Sequence, residues 1–322
     1  MAFGKRTRII LSLLLAAGWA SALIWNSAHD GKSRAQNRNY RNRRVLMGTF
    51  WEVTSPDKNA AKIVFDEAGR IEKLLSKYIP QSEVSRLNRK GKLKVSAETF
   101  FIISKSKEFW RASGGAFDIS VAPLADLWGF TDMHGKIPQE ASIKKTLGIT
   151  GSDKILLHEN DNVVEFKLKG MKIDLGAIAK GYAIDLAAEK LRREGIKDCL
   201  INAGGQIYAM GDNSGSPWKV AIRNPRGKEF SGALELKNKS VATSGDYEQF
   251  FLEDGKRYCH IIDPRSGYPV NSGIASVTVV ENSALNADAL STAVFVLGED
   301  GGKILKDKFP DSEFYIKQAG RE

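Results

Sequence analysis

Hydrophobic residues recur along this chain of 322 residues with spacings that predict its elements. The first concentration, residues 9–17, is an apolar run interrupted only by Ser12, preceded by Lys5, Arg6 and Arg8 and followed by the small residues Ala20, Ser21 and Ala22. A basic start, an apolar middle and a small-residue end make the pattern of a secretory signal. Continued to Trp25, the run reaches the shortest length with which a helix crosses a bilayer. Residues 1–25 are therefore expected to be a signal peptide or an N-terminal membrane anchor, residues 26–44 a basic linker, and residues 45–322 one compact domain. Within that domain residues 45–54 read as a strand. Val64, Ala68, Ile71, Leu75 and Tyr78 stand three and four apart, which predicts an amphipathic helix over 59–78. A second helix is predicted over 97–112, and a hairpin from 155–157 and 163–168 around Glu159-Asn160-Asp161. A strand over 171–175 is expected to lead into a helix over 177–194 that Gly195 ends. Asp254-Gly255, between 250–252 and 257–262, suits the positive backbone angles of a tight hairpin turn. A last helix, 284–296, is expected to stop at Gly298. Helices mixed with mainly antiparallel strands predict an α+β fold.

Composition narrows the class. With 42% hydrophobic and 27% charged residues, a chain of this length buries a substantial core, which excludes disorder, collagen and coiled coil. The 48 Lys and Arg against 38 Asp and Glu give a net charge of +10, which by itself suggests nucleic acid or an anionic membrane. Six of the positives, Lys32, Arg34, Arg38, Arg41, Arg43 and Arg44, crowd the arm ahead of the domain, so the remainder is closer to balance. Without aromatics interleaved on a recognisable motif, no nucleic-acid partner is expected, and the arm reads as a membrane-proximal linker. Basic residues just after an apolar run oppose translocation, which argues against export. Cys199 and Cys259 form neither a Cys-x-x-Cys pair nor a metal-ligand spacing with histidine, so a cysteine-rich zinc site is excluded.

Four segments carry candidate chemistry. In Asp174-Leu-Gly-Ala-Ile-Ala-Lys180-Gly181 a carboxylate precedes a helix start that bears a cation, which makes either a phosphate seat or a plain strand-to-helix turn. It is neither a P-loop nor a dinucleotide Gly-x-Gly-x-x-Gly. Asn202-Ala-Gly-Gly205 permits close approach of a ligand or of another backbone. His260 stands where a hairpin strand enters the loop 261–264, in a setting that serves a structural or a catalytic role; His134 and His158 lie in polar turns and His29 in the leader. Asp288, Ser291 and Thr292 share one face of the last helix, as an oxygen set for a hard cation such as magnesium or as surface and capping residues.

Together these segments resemble the FAD:protein FMN transferase (ApbE) family. The matching pieces run in order from Leu46-Met-Gly-Thr49 through Tyr78, Ser82-Glu-Val-Ser-Arg-Leu-Asn88, Gly114-Gly-Ala-Phe-Asp118 and Pro123-Leu-Ala-Asp-Leu-Trp-Gly-Phe130. They continue with Asp174-Leu-Gly-Ala-Ile-Ala-Lys-Gly-Tyr182, Asn202-Ala-Gly-Gly205, Ala242-Thr-Ser-Gly-Asp-Tyr247, His260-Ile-Ile-Asp-Pro-Arg-Ser-Gly-Tyr-Pro269 and Ala287-Asp-Ala-Leu-Ser-Thr292.

The resemblance implies a two-lobed α+β fold related to the T-fold, with FAD in a cleft between the lobes. It also implies a Mg²⁺-dependent transfer of FMN from FAD to a threonine or serine hydroxyl of an acceptor flavoprotein, through a phosphoester bond, with release of AMP. Met47, Tyr78, Ala116, Phe117, Asp118, Asp174, Lys180, His260 and Ile261 would contact FAD. The Ala177 carbonyl, Asp288 and Thr292 would surround Mg²⁺ together with Ser291, where some relatives carry an acidic residue. His260 is the expected base, with Asp263 assisting. The acceptor class it suggests is a subunit of a membrane redox complex such as a sodium-pumping NADH:quinone reductase. The place of action would be the bacterial cell envelope, in the periplasm or at the inner membrane. Two other readings fit the same residues: an FAD pyrophosphatase that gives FMN and AMP, and a non-catalytic flavin-binding protein of the envelope.

Overall fold

The computed structural model describes residues 10–12, 39–227 and 229–320. Apart from Ile10–Ser12, the expected signal peptide or anchor and the linker up to residue 38 lie outside the described residues. Among the described residues, no helix is long and apolar enough to cross a membrane.

Seven strands form one antiparallel sheet in the spatial order Glu313–Gln318, Ile274–Glu281, Lys239–Gly245, Gln206–Met210, Cys199–Ala203, Thr49–Ser55 and Tyr40–Leu46. Period-two alternation divides the central side chains between two faces. Cys199, Ile201, Ala203, Tyr208 and Met210 face one core, while Leu200, Ile207 and Ala209 face another. The helices are α1 (Ala60–Leu75), α2 (Glu83–Lys90), α3 (Ala97–Ala112), α4 (Ala122–Leu127), α5 (Glu140–Leu147), α6 (Ala179–Arg193) and α7 (Ala284–Lys308). α1, α6 and α7 contribute to the first core; the hairpin Trp218–Arg223 with Phe230–Leu236 closes the second around Trp218. A third cluster packs α4, α5 and the hairpin Gln249–Glu253/Lys256–Cys259 around Trp128 and Phe251. Predicted α+β architecture and observed fold agree.

Several boundaries differ from the sequence reading, each for a physical reason. Residues 45–54 are not one strand: Met47 (φ 50°) and Gly48 (φ 72°) turn Tyr40–Leu46 back onto Thr49–Ser55. The sheet thus begins five residues inside the basic segment. Arg41 and Arg43 pair with Glu52 on the neighbouring strand, and the Arg44 guanidinium lies 5.1 Å from the Phe65 ring centre. Charge on a sheet-edge strand has the same composition as a linker, which hid it. The first helix ends at Leu75, leaving Tyr78 in a turn and 66% exposed. Residues 171–175 form no strand. Instead the Asn88 side chain imitates one, donating to the Ile173 carbonyl at 2.9 Å and accepting from its N–H at 2.8 Å. Gly298 (φ 81°) breaks the last helix as expected, but a second helical stretch continues to Lys308.

α6 and α7 cross so closely that a Cβ at Gly181 would stand 2.2 Å from the Ala284 carbonyl oxygen. The side chain of Asp185 on α6 caps the start of α7, accepting from Ser283 Oγ (2.7 Å), Ala284 N (2.8 Å) and Leu285 N (3.0 Å). Gly181→Ala is therefore expected to destabilise the fold by about 1–3 kcal/mol, because backbone must move to admit the methyl. Denaturant unfolding checks it, a wild-type midpoint being the contrary result.

Candidate active site

An open cleft of about 280 Å³ lies where the large sheet and its helices meet the Trp128 cluster. Its floor is the N-terminus of α6. No side chain of its own caps that helix; Ala179 N turns back to the Leu175 carbonyl at 2.8 Å, and the positive end of the helix dipole faces the cleft. Asp174 shapes the turn ahead of it: one carboxylate oxygen accepts from Gly176 N at 2.8 Å and the other meets Lys77 Nζ at 2.8 Å. Burial works against the charge on Lys77, but the Asp174 carboxylate together with Tyr78 holds the ammonium above its ordinary value. Lys180, the second residue of the helix, donates to the Gly176 carbonyl at 3.0 Å and lies 3.8 Å from Asp288.

Asp288 reaches the cleft from α7, where its second oxygen accepts from Gly181 N at 3.1 Å. Burial pushes this carboxyl above the usual carboxylate range; Lys180 and the Gly181 N–H oppose that rise without cancelling it. A carboxylate so short of compensation is one that a bound cation would stabilise. Ala177 and Thr292 line the same cleft. One carboxylate, a carbonyl and a hydroxyl form an all-oxygen set that fits Mg²⁺, a hard cation that keeps several waters or phosphate oxygens. Among the described residues no cluster of three His, Cys, Asp or Glu side chains offers a softer site. Ser291 lies outside the cleft lining. It is 1% exposed, its hydroxyl donates to the Asp288 carbonyl at 2.9 Å, and it shares a hydrogen bond with Ser244.

His260 enters from the hairpin. Its Nδ1 faces the Gln249 carbonyl oxygen at 3.2 Å, and an oxygen that only accepts requires the proton on Nδ1. Nε2 therefore carries the lone pair. Burial lowers the imidazole pKa, against the Gln249 carbonyl, which favours the charged form. A neutral, base-competent histidine at neutral pH results.

Tyr78, Ala116, Phe117, Asp118 and Ile261 also line the cleft. The Asp118 carboxylate is engaged within the fold: it accepts from Ser120 N (2.8 Å), Ser120 Oγ (2.7 Å), Ser152 Oγ (2.6 Å) and Ser152 N (3.0 Å). Asp118 thus shapes the wall rather than offering a free charge. Met47 and Asp263 are not brought into the lining. Met47 sits in the first hairpin turn and donates its N–H to Glu72, while Asp263 is held by Arg265 at 2.8 Å.

Among the cleft residues that escaped the sequence reading are the polar ones Lys77, Gln206, Glu248 and Gln249. Gln206 is 3% exposed and anchors its amide nitrogen on the Ala284 carbonyl at 2.8 Å. Its side-chain oxygen meets no protein donor among the described residues, so it is an acceptor for a ligand or a water. Gly204 beside it has φ 63°, and a Cβ there would strike Thr49 Oγ1 at 2.2 Å, which accounts for the paired glycines. Glu248 is an exposed residue whose carboxyl lies among the cleft walls; partial desolvation there raises it to about 7, and Lys180 and Arg223 oppose the shift. The only sequence signal for these residues was adjacency to motifs already singled out. Cys199 and Cys259 are free and buried, burial raises both thiols, and neither reaches the cleft.

Comparison with known proteins places this geometry. The sequence pattern of the ApbE family matches residues 47–316. An FAD:protein FMN transferase of Klebsiella pneumoniae is 35% identical over 278 residues, 83% of this chain and 85% of the relative. One from Vibrio cholerae is 34% identical over 71% of this chain and 70% of its own length. Among solved structures, the ApbE protein of Thermotoga maritima superposes with a TM-score of 0.81 at 33% identity, covering 88% of this chain and 97% of that one. The flavin transferase ApbE of Vibrio cholerae superposes at 0.77 and 27% identity, covering 88% and 98%.

Proposed function

We propose that this chain, which belongs to the ApbE family, transfers FMN from FAD to a serine or threonine hydroxyl of an acceptor flavoprotein. The observation that carries the reading is the meeting, in one cleft, of the N-terminus of α6, a base-competent His260 and the oxygen set of Ala177, Asp288 and Thr292.

The hydroxyl oxygen attacks the phosphorus on the FMN side of the FAD pyrophosphate. The bond from that phosphorus to the bridging oxygen breaks, AMP leaves with the electron pair, and FMN remains joined to the protein as a phosphoester. The hydroxyl proton passes to His260 Nε2, the free lone pair of the ring. Ala177, Asp288 and Thr292 would hold Mg²⁺, which when bound neutralises charge on the pyrophosphate oxygens. The positive end of the α6 dipole and the ammonium of Lys180 offer positive potential to the same phosphates. Asp174 and Lys77 brace the turn that aims them. Aromatic and apolar walls at Tyr78 and Phe117 suit the faces of the flavin. A place of action in the cell envelope rests on the pattern of residues 1–25 alone.

The test incubates the full chain with FAD, Mg²⁺ and the flavin-free form of the FMN-carrying subunit of a sodium-pumping NADH:quinone reductase. Intact-protein mass spectrometry is expected to show addition of FMN, one AMP per adduct, and loss of both with EDTA. AMP and free FMN without adduct would replace the reading by hydrolysis; FAD binding with neither product would leave a binding protein.

A further inference from the structure

The hairpin that delivers His260 has a second edge. Gln249–Glu253 runs antiparallel to Lys256–Cys259 through a turn at Asp254 (φ 51°) and Gly255 (φ 73°). His260 N–H donates to the Gln249 carbonyl at 2.9 Å, so the hydrogen-bonding groups of Gln249 point toward that neighbour. In an antiparallel ladder the direction alternates residue by residue. The N–H and C=O of Phe250 and Leu252 therefore point the other way, onto the opposite edge. That edge accepts extended chain: the backbone of Ile10–Ser12 lies antiparallel on it, with Ile10 opposite Phe251, Leu11 opposite Phe250 and Ser12 opposite Gln249. The edge also ends at the chemistry. Gln249 lines the cleft, its side-chain amide donating to the Phe130 carbonyl at 3.1 Å.

We propose that this edge binds the acceptor protein as an added antiparallel strand, in which the residue opposite Gln249 carries the hydroxyl to be modified. The inference rests on the flavin-transfer reading and specifies how its protein substrate is held. Residues directly opposite in an antiparallel pair project their side chains on the same face. A hydroxyl at that register position therefore shares the face of Gln249, the face that forms the cleft wall. Backbone pairing grips an extended segment largely independently of its sequence, while register selects the single residue presented. A slip by one residue turns the hydroxyl to the opposite face. Ile10–Ser12 and an incoming acceptor strand need the same edge, so they exclude one another.

Leu252→Pro tests the assignment. Proline is tolerated where a strand's N–H faces away from its partner, and the ladder to Lys256–Cys259 needs no hydrogen from Leu252. The variant removes one docking donor and sets a ring on the edge. With the full chain, FAD, Mg²⁺ and the flavin-free reductase subunit, KM for that subunit is expected to rise about tenfold, with kcat and FAD affinity close to wild type. Hydrogen exchange on the wild type gives a second measurement: saturating subunit should slow exchange at the amide of Leu252, which lies beyond the residues that Ile10–Ser12 covers. Labelling by Leu252→Pro with wild-type KM, or unchanged exchange at that amide, overturns the edge assignment while transfer stands. If the variant loses FAD binding through misfolding, the exchange measurement decides. No adduct with the wild type overturns the transfer reading and this inference with it.

Discussion

Asp288→Asn is expected to lower metal-supported FMN transfer about 10³-fold, because electrostatic stabilisation of several kcal/mol disappears at about 1.4 kcal/mol per decade. Asparagine keeps an oxygen for the Gly181 N–H, so the crossing of α6 and α7 survives and unfolding should change little. Asp288→Ala, by contrast, strands that buried N–H, at a cost of about 1–3 kcal/mol. Calorimetric titration with Mg²⁺ separates the effects: binding should be lost in both variants, stability chiefly in alanine. Wild-type turnover with intact Mg²⁺ dependence in Asp288→Asn would remove this residue from the metal set. In the wild type, the sign of the pH response follows from Asp288, whose carboxyl burial raises above the usual carboxylate range. A cation competes with the proton there, so Mg²⁺ binding should strengthen as pH rises and weaken as it falls.

The second large effect concerns His260. His260→Ala should retain FAD while losing about 10²–10⁴-fold in transfer, the range for a positioned general base. Retention is expected because the remaining cleft walls come from separate elements, including α4, α6, α7 and the sheet ends. In the wild type the base is neutral above its lowered pKa, so its limb of the rate profile rises with pH below 6.5 and is flat above it. In His260→Ala that limb should vanish. Normal labelling of the acceptor by this variant, measured as adduct formed per minute, would exclude the imidazole as base.

Much of the site could be read from the chain because its parts are local. Asp174 to Lys180 is a single turn, and Asp288 and Thr292 stand one helical turn apart. The Asp254-Gly255 hairpin follows from backbone angles that few residues adopt, and the structure has both at positive φ. Residues whose roles depend on distant partners were hidden. Gln206 became notable only when the fold set its nitrogen against Ala284 and left its oxygen without a protein donor. Lys77 meets Asp174 across 97 positions of chain. Asp263 and Ser291 looked available in sequence, yet Arg265 holds the first and Ser244 shares a hydrogen bond with the second.

By itself, the sequence determined the α+β class, the amphipathic helices, the tight turns and the residue types gathered for phosphate and metal chemistry. These follow from periodicity, backbone preference and side-chain chemistry, which act over a few residues. Only the tertiary structure decided that Tyr40–Arg44 joins the sheet, that Asn88 replaces a strand partner, and which carboxylates are free. Those outcomes depend on burial and on contacts between segments far apart in the chain, and no local spacing encodes them.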